Sequence, residues 1–194
     1  MKLIIGLGNP GNEYAHTRHN MGFDIADMLA EDLGAPAYKT KFNALYTKVD
    51  FRDETIYILK PLTYMNLSGE AVKPFVDYFK IDIEDIIVVM DDMALEPGRF
   101  RLRSKGSSGG QKGLGNIIDL LKTQNIKRIR IGTGEPEGNN VVDYVLTIPK
   151  GEDADKIGKA KDEALMALKY ALASNFDKAM SNFNTKKDNS ENAK

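Results

Sequence analysis

His19 is one of two histidines among 194 residues, and it stands in TRHNMGF, shortly after Asn9 in the turn GLGNPG. A neutral imidazole, whose ordinary pKa is roughly 6.5, is the side chain best suited to take a proton from water at cellular pH. It works best when a carboxylate fixes its tautomer and stabilises its protonated form. Asp91 is the candidate, because it follows the apolar run Ile86-Ile87-Val88-Val89 at the edge where ligands collect in open α/β sheets. Asn9 and Asn66 (in TYMNLSG) each lie where a strand passes into a helix, and a neutral amide there can donate to a developing oxyanion. The chain has no cysteine, and no serine sits in a nucleophile elbow, so the pair would activate water rather than a side chain. Each residue also has a plainer use. Asn9-Pro10 is a natural turn pair, His19-Asn20 could cap a helix, and Asp91 or Asp92 could form an Asx turn.

Lys2 to Leu7 is a strand, and Asn20 to Leu33 a helix with Gly22, Ala26, Leu29 and Leu33 on one stripe and Gly34 as its stop. Ala44 to Asp50 and Thr55 to Leu59 form a hairpin. Ser68 caps a helix striped by Val72, Phe75, Val76 and Phe79, with Pro74 early in it and expected to bend its first turns. Ile86 to Val89 is a strand buried on both faces. Arg99 to Arg103 is a further strand, and Lys105 to Gly113 a Gly- and Ser-rich loop. A helix with Leu114, Ile117, Ile118 and Leu121 follows, then a strand over Lys127 to Gly132. Val141 to Leu146 is a short apolar segment ended by Pro149. Asp153 to Ala173 is a long amphipathic helix, and Phe176, Ala179, Met180 and Phe183 mark one more. The last ten residues lack apolar groups and are expected to be a disordered tail, 185–194. Strands interleaved with helices predict an α/β fold, in one domain over 1–184.

Composition narrows the classes. With 42% hydrophobic and 28% charged residues, this is an ordinary globular chain. No apolar run is long enough to cross a bilayer, and the N-terminus does not read as a signal peptide, so a cytoplasmic location is expected. The absence of cysteine excludes disulfides, thiolate nucleophiles and cysteine-ligated metals. The net charge of −1 is uninformative, but Arg99 to Lys112 and Lys122 to Arg130 make a basic zone suited to phosphates. Gly6, Gly8 and Gly11 match G-x-G-x-x-G after a strand. A dinucleotide turn, however, needs a helix opening at the third glycine and an acidic residue ending a second strand. Here the helical stripe begins near Asn20, and Asp32 falls in a helix.

GLGNPGNEYAHTRHNMGF, KPLTYMNLSG, VVMDDMALEPGRFRLRSKGSSGGQKGL and RIRIGTGEP, in this order and followed by FDKAMSNFN, resemble the bacterial peptidyl-tRNA hydrolase family from Lys2 to about Asn184. The resemblance implies a single-domain α/β fold, a twisted, mixed but mostly parallel sheet flanked by helices, usually monomeric, with no cofactor and no metal. It implies hydrolysis of the ester between a peptide and the 3′-terminal ribose of tRNA, which recycles tRNA from stalled translation. His19 matches the family's general base and Asp91 the carboxylate that orients it. Asn9 matches the asparagine near the scissile ester, and Asn66 the one beside the reacting group and the tRNA end. Tyr14 and Met65 match residues lining the same cleft.

One departure stands out. Where the family commonly shows GGHNG, this chain has Gly109-Gly110-Gln111-Lys112-Gly113. Gln111 still donates and accepts, whereas Lys112 only donates, as a point charge. Both are expected to bind substrate, with Lys112 on a ribose or phosphate oxygen of the tRNA 3′ end. Arg103, Lys105, Arg128 and Arg130 are expected to clamp the acceptor stem by its phosphates, without reading sequence. A second reading, an RNA-binding protein on the same fold like the family's chloroplast splicing relatives, is kept open by Gln111-Lys112. Retention of Asn9, His19, Asn66 and Asp91 together argues against it.

Overall fold

The structure is a computed structural model that describes residues 1–188. Leu3, Ile4 and Ile5 make β1 (Lys2–Gly6) apolar on both faces, and all three are fully buried. A strand of that kind belongs in the middle of a sheet covered on two sides. β1 pairs in parallel with β4 (Glu54–Pro61) on one flank and β5 (Ile86–Asp92) on the other. Strand alternation then divides the core. Leu3, Ile5 and Leu7 join Val72, Phe75 and Leu114 beneath α2 (Ser68–Phe79) and α3 (Lys112–Leu121). Ile4 joins Ile25, Leu29 and Leu168 beneath α1 (Met21–Asp32), α5 (Gly151–Ala173) and α6 (Phe176–Asp188). Each fully buried Ile or Leu contributes about 1.5–3 kcal/mol relative to exposure.

Among the described residues the strands form one seven-stranded sheet, in the order β2 (Lys39–Lys41), β3 (Ala44–Phe51), β4, β1, β5, β7 (Lys127–Gly132) and β6 (Phe100–Arg103). Its centre, β4-β1-β5 with β7, is parallel, and its two margins are antiparallel. The expected hairpin is β3 with β4, turning through Arg52 and Asp53, which both have positive φ. β2 was not expected, because KTK offers no apolar alternation. At the far margin, β6 pairs with β7, and the Asn184 carboxamide bonds both backbone groups of Leu102. That contact covers part of an exposed edge.

Some local expectations change. Ser68 does not cap: α2 begins at Ser68 itself, whose Oγ donates to the Met65 carbonyl at 2.8 Å. The helix runs unbroken through Pro74. The segment after Asn140 is a short helix, α4 (Val141–Val145). Gly6 and Gly8 serve close packing, and Gly11 serves a turn with positive φ. A 3-10 turn, Asn12–Tyr14, follows Gly11, and α1 opens only at Met21. A Cβ on Gly6 would lie 2.2 Å from the Gly22 carbonyl, and one on Gly8 would strike the Phe23 ring. Of the tail expected from residue 185, 185–188 continue α6, and 189–194 lie outside the described residues.

The position of the turn before α1 depends on Gly22. A Cβ on Gly22 would stand 2.3 Å from the Val89 carbonyl and 2.4 Å from the Leu7 nitrogen. With glycine there, α1 lies directly against β1 and β5, which brings the turn preceding α1 to their carboxyl ends.

Candidate active site

That carboxyl edge gathers four segments. Asn9 follows β1, the 3-10 turn Met65–Leu67 follows β4, Asp91 is near the end of β5, and His19 arrives in the 3-10 turn Arg18–Asn20 ahead of α1. His19 Nδ1 lies 2.7 Å from Asp91 Oδ2, with the two side chains 16% and 4% exposed. Asp91 is an acceptor there, so Nδ1 carries the hydrogen and Nε2 keeps its lone pair. The carboxylate's other oxygen, Oδ1, accepts from Gln111 Nε2 at 3.1 Å.

Asn9 is held from two directions. Its Oδ1 accepts from the Met65 backbone N–H at 2.8 Å, which leaves Nδ2 as the donor it can offer a substrate. Asn20, buried beside it, accepts from Asn9 N at 2.8 Å and donates to Asn9 O at 2.9 Å. A helix cap was the plainer alternative for His19-Asn20, but the Asn20 side chain makes no capping bond. It ties the asparagine turn to the histidine turn. Asn66 is exposed at the rim of a cleft of about 450 Å³ that Asn9, His19, Met65, Asp91, Gln111 and Lys112 also line. Val142, Val145 and Leu146 give this cleft an apolar wall.

Arg18 anchors that wall and was missed in the sequence, where TRHN drew attention only to its histidine. Its guanidinium lies 4.4 Å from the centre of the Tyr144 ring and donates to Thr147 Oγ1 at 2.7 Å and Asp153 Oδ2 at 3.1 Å. Tyr144 in turn donates to the Thr133 carbonyl at 2.6 Å. Tyr14 lies shortly before Arg18, in the 3-10 turn Asn12–Tyr14. It is not among the cleft-lining residues, and its carbonyl accepts from Thr17 N and Oγ1 to shape the turn before Arg18.

Of the four residues expected to clamp phosphates, Arg128 and Arg130 are engaged within the protein. Arg128 is 3% exposed and donates to the carbonyls of Ile126 (2.7 Å), Ser107 (2.9 Å) and Gly106 (2.9 Å). Burial, and then the cations of Arg130 and Arg103, push its pKa down. It is a fastener for the Gly-rich loop, leaving no fork for a phosphate. Replacing Arg128 with Leu should cost about 2–4 kcal/mol in denaturant unfolding, because the Ile126 carbonyl and the partly buried carbonyls of Gly106 and Ser107 lose their donor. An undiminished midpoint would show the loop to be held by other means. Arg130 is committed to an ion pair with Asp92. Arg103 and Lys105 are exposed, but Arg103 pairs across from Arg128, four residues below Gly132 at the carboxyl edge. At about 3.3 Å per residue that is roughly 13 Å along the strand from Gly132. Both line a separate groove with Arg101 and Asn184. Lys112, exposed at the start of α3, is the basic residue lining the cleft itself.

No group of three or more His, Asp or Glu among the described residues could hold a metal ion, and no described helix is long and apolar enough to cross a membrane. The family model described as peptidyl-tRNA hydrolase matches residues 3–191. The chain belongs to the peptidyl-tRNA hydrolase family. It is 46% identical over 185 residues to a peptidyl-tRNA hydrolase of Shouchella clausii, covering 95% of this chain and 100% of the relative. To that of Bacillus subtilis it is 44% identical over 187 residues, covering 96% and 100%. The crystal structure of the Acinetobacter baumannii peptidyl-tRNA hydrolase superposes with a TM-score of 0.89 at 35% identity, over 95% of this chain and 94% of that one. The α/β fold expected from the motifs is that of the family, a single domain on a mixed, mostly parallel sheet.

Proposed function

We propose that this cleft hydrolyses the ester joining a peptide to the 3′-terminal ribose of tRNA, with His19 as the general base. By family the chain is a hydrolase acting on peptidyl-tRNA. The observation that supports this mechanism is the 2.7 Å contact of His19 Nδ1 with Asp91 Oδ2, which leaves Nε2 as the free base beside the two asparagines. Nε2 takes a proton from water, and the water oxygen attacks the ester carbonyl. The carbonyl oxygen becomes an oxyanion, to which Asn9 Nδ2 and the Asn66 amide donate. Collapse breaks the bond to the ribose oxygen, which receives the proton from the imidazolium. The products are a peptide carboxylate and free tRNA. Positioned base catalysis supplies about 10²- to 10⁴-fold and an oxyanion donor about 10²- to 10³-fold, so neither suffices alone.

Met65 and the apolar wall of Val142, Val145 and Leu146 take the peptide side. Lys112 takes a ribose or phosphate oxygen of the tRNA end, while Arg103 and Lys105 hold phosphates farther along the stem. The enzyme acts in the cytoplasm, as a monomer. The direct test is release of N-acetylated amino acid from charged tRNA by the purified chain; binding without release would favour the RNA-binding reading. Lys112→Asn should raise KM for peptidyl-tRNA and flatten the slope of log affinity against log salt by about one. An unchanged slope would take Lys112 off the nucleic acid.

A further inference from the structure

Gln111 stands where the family's motif commonly has a histidine, and sequence reading placed it on the substrate. Its bonds point inward instead. Oε1 accepts from the Leu114 backbone N–H at 2.8 Å, which caps α3. Nε2 donates to Asp91 Oδ1 at 3.1 Å and lies 3.2 Å from Met65 Sδ. The orientation of this amide is forced by its neighbours. A backbone N–H only donates and a carboxylate only accepts, so turning the group over would put donor on donor and acceptor on acceptor. The flanking structure leaves little freedom, since a Cβ on Gly113 would lie 2.6 Å from that same sulfur.

We propose that Gln111 is a positioning residue of the hydrolytic site, holding Asp91 by Oδ1 so that Oδ2 faces His19. A carboxylate bonded through one oxygen can rotate about its Cβ–Cγ bond; bonded through both, it is fixed in plane. Because the same carboxamide caps α3, the helix that presents Lys112 is coupled to the His19–Asp91 couple through one side chain. Gln111 does not titrate, so it holds Asp91 equally at every pH at which His19 is neutral. The other ionisable groups lining the cleft are Tyr64, Asp92 (paired with Arg130), Lys112 and Glu135. None of these types ordinarily titrates between about pH 6 and 8.

This inference rests on the reading of His19 as the base, and the experiment separates the two. Turnover of N-acetyl-aminoacyl-tRNA is followed against pH for wild type, Gln111→Met, Gln111→Glu, Gln111→His and His19→Ala, with thermal unfolding alongside. Gln111→Met removes the donor at similar volume. Its kcat should fall about 10-fold with KM unchanged, and its acid limb should move to higher pH, because a carboxylate relieved of a donor holds the imidazolium more firmly. Gln111→Glu keeps the acceptor that caps α3, so it serves if the Met variant folds poorly. It puts a second negative charge beside Asp91, and the loss and the acid-limb movement should both be larger. Gln111→His restores an N–H donor and should recover most of the loss. A Gln111→Met enzyme within two-fold of wild type, with an unmoved acid limb, overturns the proposal. So does an equal loss in Gln111→Met and Gln111→His, which would report shape rather than hydrogen bonding. Full activity in His19→Ala would instead overturn the base assignment itself.

Discussion

Replacing His19 with Ala is expected to slow release of the peptide by about 10³- to 10⁴-fold while leaving affinity for the tRNA portion near that of the wild type. The separation follows from the site's construction. His19 is mostly buried, and its Nδ1 is engaged by Asp91, so only Nε2 is left to the cleft. Lys112, the cation proposed to meet the nucleic acid, belongs to α3, a different element. Asp91→Asn should lose about 10²-fold or more for a related reason. An amide neither stabilises the imidazolium nor accommodates donors on both its sides, and here His19 and Gln111 both approach as donors. Single-turnover rates at saturating enzyme, set beside equilibrium binding of uncharged tRNA, measure the two effects separately.

The second large effect comes from a residue with no side chain. Gly22→Ala should destabilise the fold by about 3 kcal/mol and lower the activity of whatever still folds by about 10²-fold. The added carbon would meet three backbone atoms, Val89 O, Leu7 N and Leu7 O, between 2.3 and 2.6 Å away. None of these is a flexible chain end that can step aside. Ordinary contact needs roughly 1 Å more, so α1 must retreat from β1 and β5 by about that distance. His19 precedes α1 by one turn while Asp91 belongs to β5, so the displacement opens the hydrogen bond between them. Urea unfolding and kcat measure the two losses. A variant of wild-type stability and wild-type turnover would show that close apposition of α1 to the sheet does not position the site.

The parts of this molecule legible in the sequence were those governed by local pattern. The all-apolar runs of β1 and β5, the stripe of α1 and the turn that ends at Gly34 need only neighbouring residues to specify them. His19, Asp91, Asn9 and Asn66 were visible because strand-to-helix connections at one sheet edge converge whatever the details between them. Where sequence reading went astray, the deciding contact came from far along the chain. Arg128 looks like any surface arginine on an alternating strand until the loop carbonyls of Gly106 and Ser107 arrive to take its donors. Arg103 sits in the same basic cluster, yet antiparallel pairing of β6 with β7 carries it away from the cleft. Asn20 and Ser68 both have the chemistry of helix caps, and each is diverted to a neighbouring turn. Arg18 was passed over because its partners, Tyr144, Thr147 and Asp153, are more than a hundred residues away.

In the proposed mechanism His19 and Asp91 act as one base. The measurement that reaches this most directly is a double-mutant cycle on peptide release, comparing His19→Ala, Asp91→Asn and the two combined. If the carboxylate works only through the imidazole, Asp91→Asn costs almost nothing once His19 is gone, and the double variant is as slow as His19→Ala. If the two losses simply multiply, Asp91 acts on the reaction by a route of its own, and the coupled base described here is wrong.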